Sequence, residues 1–130
     1  MSERNVSLSR IGQVAIPAQD IARAVAFYRD ILGLRFLFEA PPKLAFFACG
    51  GVRLMLAEPE AGQAFQPGSV LYYAVDDLPA THQALLARGV SFVHGPQLVA
   101  RMPDHELWMA FLHDSEGNLL GLMSEVHAPR

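Results

Sequence analysis

Two stretches of this 130-residue chain repeat each other's punctuation. In the first, Ile11 to Ile16 reads as a strand stopped by Pro17. Asp20 then opens a helix that carries Ile21, Val25, Tyr28 and Leu32 at helical spacing, and Gly33 ends it. In the second, Val70 to Val75 is a strand rich in β-formers. Asp77 caps a helix with Pro79 in its first turn, and Gly89 ends that one. Asp20-Ile21 answers Asp77-Leu78 and Gly33-Leu34 answers Gly89-Val90, an offset of about 56 residues. A duplicated unit of this length constrains the fold more than any single motif does.

Short strands complete the unit behind each helix. After the first come the apolar runs Leu34–Phe38, Leu44–Cys49 and Val52–Leu56, divided by the turn signals Pro41-Pro42 and Gly50-Gly51. After the second come Val90–Val93, Leu107–His113 and Leu119–Ser124, with a turn at Asp114–Asn118 before the last. Leu78, His82, Leu85 and Leu86 mark the second helix's buried face. Each copy reads β-α-β-β-β, so the class is α+β: two tandem modules over about 8–58 and 69–126. The linker, about 59–68, holds two prolines and two glycines. The second copy carries an insertion, Pro96 to Asp104, expected to be a loop that could form a lid.

Composition narrows the function. The chain is 52% hydrophobic and 18% charged, which excludes a disordered charged tail, and its length suits one domain. A net charge of −3 argues against nucleic-acid binding through phosphate neutralisation. No apolar run approaches the roughly 18 residues of a membrane span, and the polar start Met-Ser-Glu-Arg-Asn lacks a secretory apolar stretch, so the expected location is the cytoplasm. The single cysteine, Cys49, allows no disulfide within the chain and sits where an inert packing role is expected. Phosphate-loop, dinucleotide and Gly-x-Ser-x-Gly signatures are absent.

The duplicated unit, with Ile11-Gly-Gln-Val-Ala-Ile16, Asp20-Ile-Ala-Arg-Ala-Val-Ala-Phe-Tyr-Arg-Asp-Ile-Leu-Gly-Leu34, Val75-Asp-Asp-Leu78 and Phe111-Leu-His-Asp-Ser-Glu-Gly-Asn118, resembles the vicinal oxygen chelate superfamily. That superfamily includes glyoxalase I, bleomycin-resistance proteins and extradiol dioxygenases, and the resemblance covers about residues 8–126. It implies two modules curling their sheets into a cup, helices outside, with a ligand in the cup. It also implies up to four metal-donor positions on inward-facing strand residues, which fall on Gln13, Met55, Val70 and Gly121. Glutamine suits some glyoxalase I members. A thioether, an isopropyl group and a bare hydrogen are no donors for zinc, nickel or iron. A divalent metal at the family's usual place is therefore disfavoured, and no cofactor is expected.

Strand alternation extends the inward set: Arg53 shares parity with Met55, and Tyr72 with Val70. The expected site is a mostly apolar cavity with Gln13, Arg53 and Tyr72 as its polar groups, joined by Met55, Val70 and Gly121 in binding a small molecule. Arg53 can pair with an anionic group, or equally be a solvated strand residue. His105, beside Asp104 and Glu106, is a further candidate for acid–base work, with Gln13 and Tyr72; an ordinary exposed loop histidine is the alternative. The expected function is metal-free binding of a small, partly apolar molecule, as bleomycin-resistance proteins exemplify. The alternative is a lyase, isomerase or dioxygenase using non-standard ligands. A homodimer is expected, since related proteins often complete the cup across a two-fold axis.

Overall fold

The computed structural model describes residues 6–127. Strand β1 (Gln13–Pro17) leads into helix α1 (Ile21–Ala26), followed by β2 (Arg35–Ala40), β3 (Leu44–Cys49) and β4 (Val52–Ala57). The second copy runs β5 (Leu71–Ala74), α2 (Leu78–Ala87), β6 (Phe92–Arg101), β7 (His105–His113) and β8 (Leu119–His127). Each copy forms a four-stranded mixed sheet, in the orders β1-β4-β3-β2 and β5-β8-β7-β6. In both, the strand before the helix pairs in parallel with the last strand of its module.

The helices start where the sequence places them. Asp20 and Asp77 are extended, and their side chains accept from the backbone N–H of Arg23 and Ala80. Gly33 and Gly89 stop them at φ +77° and +89°, a conformation that favours glycine. One detail differs from the expected single regular helix. From Phe27 to Ile31 the backbone widens to π-helical bonding, with Leu32 N–H donating to the Phe27 carbonyl. The wider turn brings Tyr28 into the core, 2% exposed.

Two apolar clusters lie between helices and sheets. The first gathers Ile16, Ile21, Val25, Tyr28, Phe47 and Leu56; the second gathers Leu78, Leu85, Val90, Leu112, Leu120 and Leu122. Phe27, Leu32 and Tyr73 pack against both. Three expectations are corrected. The insertion is not a loop: β6 extends through Arg101 and pairs with β7, so it lengthens a hairpin whose register shifts at three places. Leu86 is 42% exposed rather than part of the buried face, while Leu78 and Leu85 are buried. Ile11 lies outside β1 and is 65% exposed. No helix among the described residues is long and apolar enough to cross a membrane.

Candidate functional site

Alternation along β1, β3 and β4 sends Ile16, Ala45, Phe47, Leu54 and Leu56 into the core beneath α1. The residues between them face the other way. Gln13 pairs in register with Arg53, Ala15 with Met55, and Phe46 with Met55, which brings these side chains together on the helix-free face. Arg53 Nε donates to Gln13 Oε1 at 2.8 Å, and the Gln13 amide nitrogen points at Met55 Sδ at 3.8 Å. The Arg53 guanidinium stands over the Phe46 ring, 5.6 Å from its centroid, and Phe46 stacks on Phe38 at 4.6 Å. Among the described residues no carboxylate pairs with Arg53. One N–H of its fork is committed to Gln13, and the exposed remainder is available to an anion or carbonyl.

The second sheet contributes a different surface. Tyr72 is the parallel partner of Gly121, and Phe111 is its antiparallel partner. The Tyr72 and Phe111 rings meet edge to face, 5.8 Å apart. They close over the glycine: a Cβ at position 121 would lie 2.7 Å from Tyr72 Cδ2 and 3.2 Å from Phe111 Cε1. Val70 falls just ahead of β5, which begins at Leu71, and is 37% exposed.

A hard divalent metal finds little at these positions. At Gly121 the space a carboxylate would need holds the Tyr72 ring. At Met55 a thioether faces an amide, and at Gln13 the carbonyl oxygen is engaged by Arg53. The set does not fit such an ion.

The two surfaces flank a seam. Val14–Pro17 of β1 and Leu71 and Tyr73 of β5 line a small cavity of about 80 Å³ between the sheets. A larger, open cavity of about 530 Å³ lies at the end of β1 and β4, where Ala15 and Ala57 meet Gln63 and Gln66 of the linker. Among the described residues no hydrogen bond, ion pair or aromatic contact joins the Gln13–Arg53–Met55 group to the Tyr72–Gly121 group. The structure therefore gathers the sequence-derived residues into two clusters and leaves Val70 at their margin.

His105 is not in a loop. It opens β7, its side chain 17% exposed, with Nδ1 2.7 Å from Asp104 Oδ1. Glu106 points elsewhere, accepting from the Trp108 indole N–H and pairing with Arg101. His82 packs edge to face on Phe92.

In sequence, Asp114–Asn118 reads as a turn and as part of a segment that carries the family resemblance. In the structure it is the joint between the modules. Tyr28 donates its hydroxyl proton to Asp114 Oδ2 at 2.6 Å, and the Asn118 amide donates to the Pro17 carbonyl. Glu116, 1% exposed, accepts from the backbone N–H groups of Gln19 and Asp20 and takes a two-point bond from Arg23. Burial pushes the Glu116 carboxyl up, but the bonds from Arg23, Ser115, Asp20 and Gln19 outweigh it and bring the pKa down to about 2. Burial, reinforced by Asp114, pushes the Tyr28 phenol well above its ordinary range. The available signal was the run of polar residues, acid-Ser-acid-Gly-Asn, between two apolar strands, too much hydrogen-bonding capacity for a plain turn.

Comparison with known proteins gives a consistent result. A family model described as Glyoxalase/Bleomycin resistance protein/Dioxygenase superfamily matches residues 10–122. A glyoxylase-like domain-containing protein of Didymella fabae is 33% identical over 126 residues, spanning 84% of this chain and 88% of that protein. Among solved structures, lactoylglutathione lyase from Agrobacterium tumefaciens superposes with a TM-score of 0.71 at 25% identity, covering 89% of this chain and 93% of that one. TnmS3, described as an antibiotic binding protein from a Streptomyces species, gives the same TM-score and identity over 93% and 99%.

Proposed function

The chain belongs to the Glyoxalase/Bleomycin resistance protein/Dioxygenase superfamily, and from that premise we propose that it binds a small, partly apolar organic molecule along the β1–β5 seam, with no metal at Gln13, Met55, Val70 and Gly121. The Tyr72 ring lying over Gly121 carries this reading, because it turns a donor position into an aromatic wall. Phe38 and Phe46 offer a second wall on the first sheet, and Arg53, braced by Gln13, offers a charged group beside Phe46. A ligand with a planar apolar body and an anionic or carbonyl group fits that pattern. The likeness to an antibiotic binding protein supports a small-molecule ligand. A metal-dependent lyase, isomerase or dioxygenase would need donors that Met55, Val70 and Gly121 do not supply.

A homodimer that encloses the seam from outside, in the cytoplasm, completes the proposal. Light scattering on purified protein tests the first part; a monomer at micromolar concentration rejects it. The ligand reading is tested by a thermal-shift screen of aromatic carboxylates and aromatic antibiotics, run with and without chelator. A rise in melting temperature that chelator leaves unchanged, and that Arg53→Ala removes, supports it. A bound zinc, nickel or iron that Gln13→Ala releases overturns it.

A further inference from the structure

We propose that Asp104, His105 and His127 form a second ligand site, for one divalent transition-metal ion of the zinc, nickel or cobalt type, at the open end of the β7–β8 hairpin. His105 begins β7 and His127 ends β8, and the two are direct partners in the antiparallel register. Direct partners project side chains to the same face with their Cβ atoms about 5 Å apart. Their rings lie 5.4 Å apart and tilted by 44°, so neither covers the other.

One donor atom from each of Asp104, His105 and His127 lies within 4.8 Å of the others. Ligands around a single ion at about 2.0–2.2 Å are separated by roughly 3.3 Å in a tetrahedral shell. A side-chain rotation closes the difference, and His127, exposed at the strand end, has the room for it.

The polar contacts suit the same ion. Asp104 Oδ1 and His105 Nδ1 lie 2.7 Å apart, two donor atoms side by side where an ion would replace the proton they share. Nε2 points toward Glu125 Oε1, 4.0 Å away, where the carboxylate can orient the ring from outside the ion's own shell. Glu125 lies two residues before His127 and so shares its face. The neighbouring cation, Arg101, is drawn off by Glu106 at 3.3 Å and does not neutralise these carboxylates. The His105 side chain is 17% exposed while Asp104 and Glu125 are 75% and 51% exposed, which leaves a held imidazole with an open approach.

Two imidazoles with carboxylates select borderline transition metals over magnesium or calcium, which prefer oxygen-only shells. The site is separate from the cup: His127 is six residues beyond Gly121 on β8, about 20 Å at roughly 3.3 Å per residue.

The test is calorimetric titration of the untagged full-length chain with Zn²⁺, Ni²⁺ and Mg²⁺. The expected result is one Zn²⁺ or Ni²⁺ per chain and no Mg²⁺. His105→Ala and His127→Ala each weaken binding at least tenfold, their combination abolishes it, and Gln13→Ala leaves it unchanged. Melting curves without metal check that the variants stay folded, and a Glu125→Gln variant, which keeps both imidazoles, weakens binding less than either histidine change. The proposal is overturned if no stoichiometric ion binds or if the double histidine variant retains it, outcomes that leave the ligand reading of the cup standing. Loss of the ion with Gln13→Ala overturns both.

Discussion

The exchange between Gly121 and Tyr72 makes the sharpest demand on single residues. Adding one methyl at position 121 puts a carbon 2.7 Å from the Tyr72 ring, so Gly121→Ala must push the ring aside. The expected cost is about 1–3 kcal/mol, the usual range for overpacking, measured by urea unfolding. In a Tyr72→Ala background the same change should cost less, with only the 3.2 Å approach to Phe111 remaining; equal costs in both backgrounds would break the argument. On the other sheet, Arg53→Ala removes both the bond to Gln13 and the cation over Phe46. Ligand affinity is expected to fall about tenfold or more, read by calorimetry, as for a lost hydrogen bond to a charged group. Arg53 was legible beside Met55 because a strand's period of two puts them on one face, while Gln13 and Met55 themselves came from the positions the family resemblance implies. The closure of Tyr72 over Gly121 was not, because it depends on the parallel register of β5 with β8, which pairs residues almost fifty apart.

At the level of elements, the Asp114–Asn118 turn and the start of α1 form one polar unit. Glu116 titrates in the native state at about 2 against 4.5 for the free side chain. A depressed carboxyl stabilises the fold above the ordinary value, and that stability is lost as pH falls from about 4.5 toward 2. The shift corresponds to a contribution on the order of 3 kcal/mol at neutral pH. Glu116→Gln should lower stability at pH 7 and flatten its decline between pH 5 and 2, followed by denaturant midpoint against pH. An unchanged slope would reject the role. Tyr28→Phe leaves Asp114 buried with one partner fewer, and is expected to cost about 1–3 kcal/mol. Caps and stops of both helices were legible because each is a local rule of one or two residues. The π-helical widening at Phe27–Ile31 was not, since it follows from docking Tyr28 against the other module.

Across the whole molecule, the duplicated pattern carries the α+β class and the two-module order, because the repeat is written in residues a few positions apart. How the modules join was not written that way: it rests on Phe27, Leu32 and Tyr73, each packed against both apolar clusters, and on bonds spanning 86 to 101 residues. A shared interior predicts a single cooperative unfolding transition, with calorimetric and van't Hoff enthalpies equal, in the native chain and in Tyr28→Phe alike. Two resolved transitions would show the modules to be independent. The same joint makes the linker dispensable as a mechanical element. A protease cut between Gln63 and Gly68 should give two polypeptides that stay associated, and separately expressed halves should complement each other on mixing, the chain's continuity having become a matter of convenience once its interior is assembled.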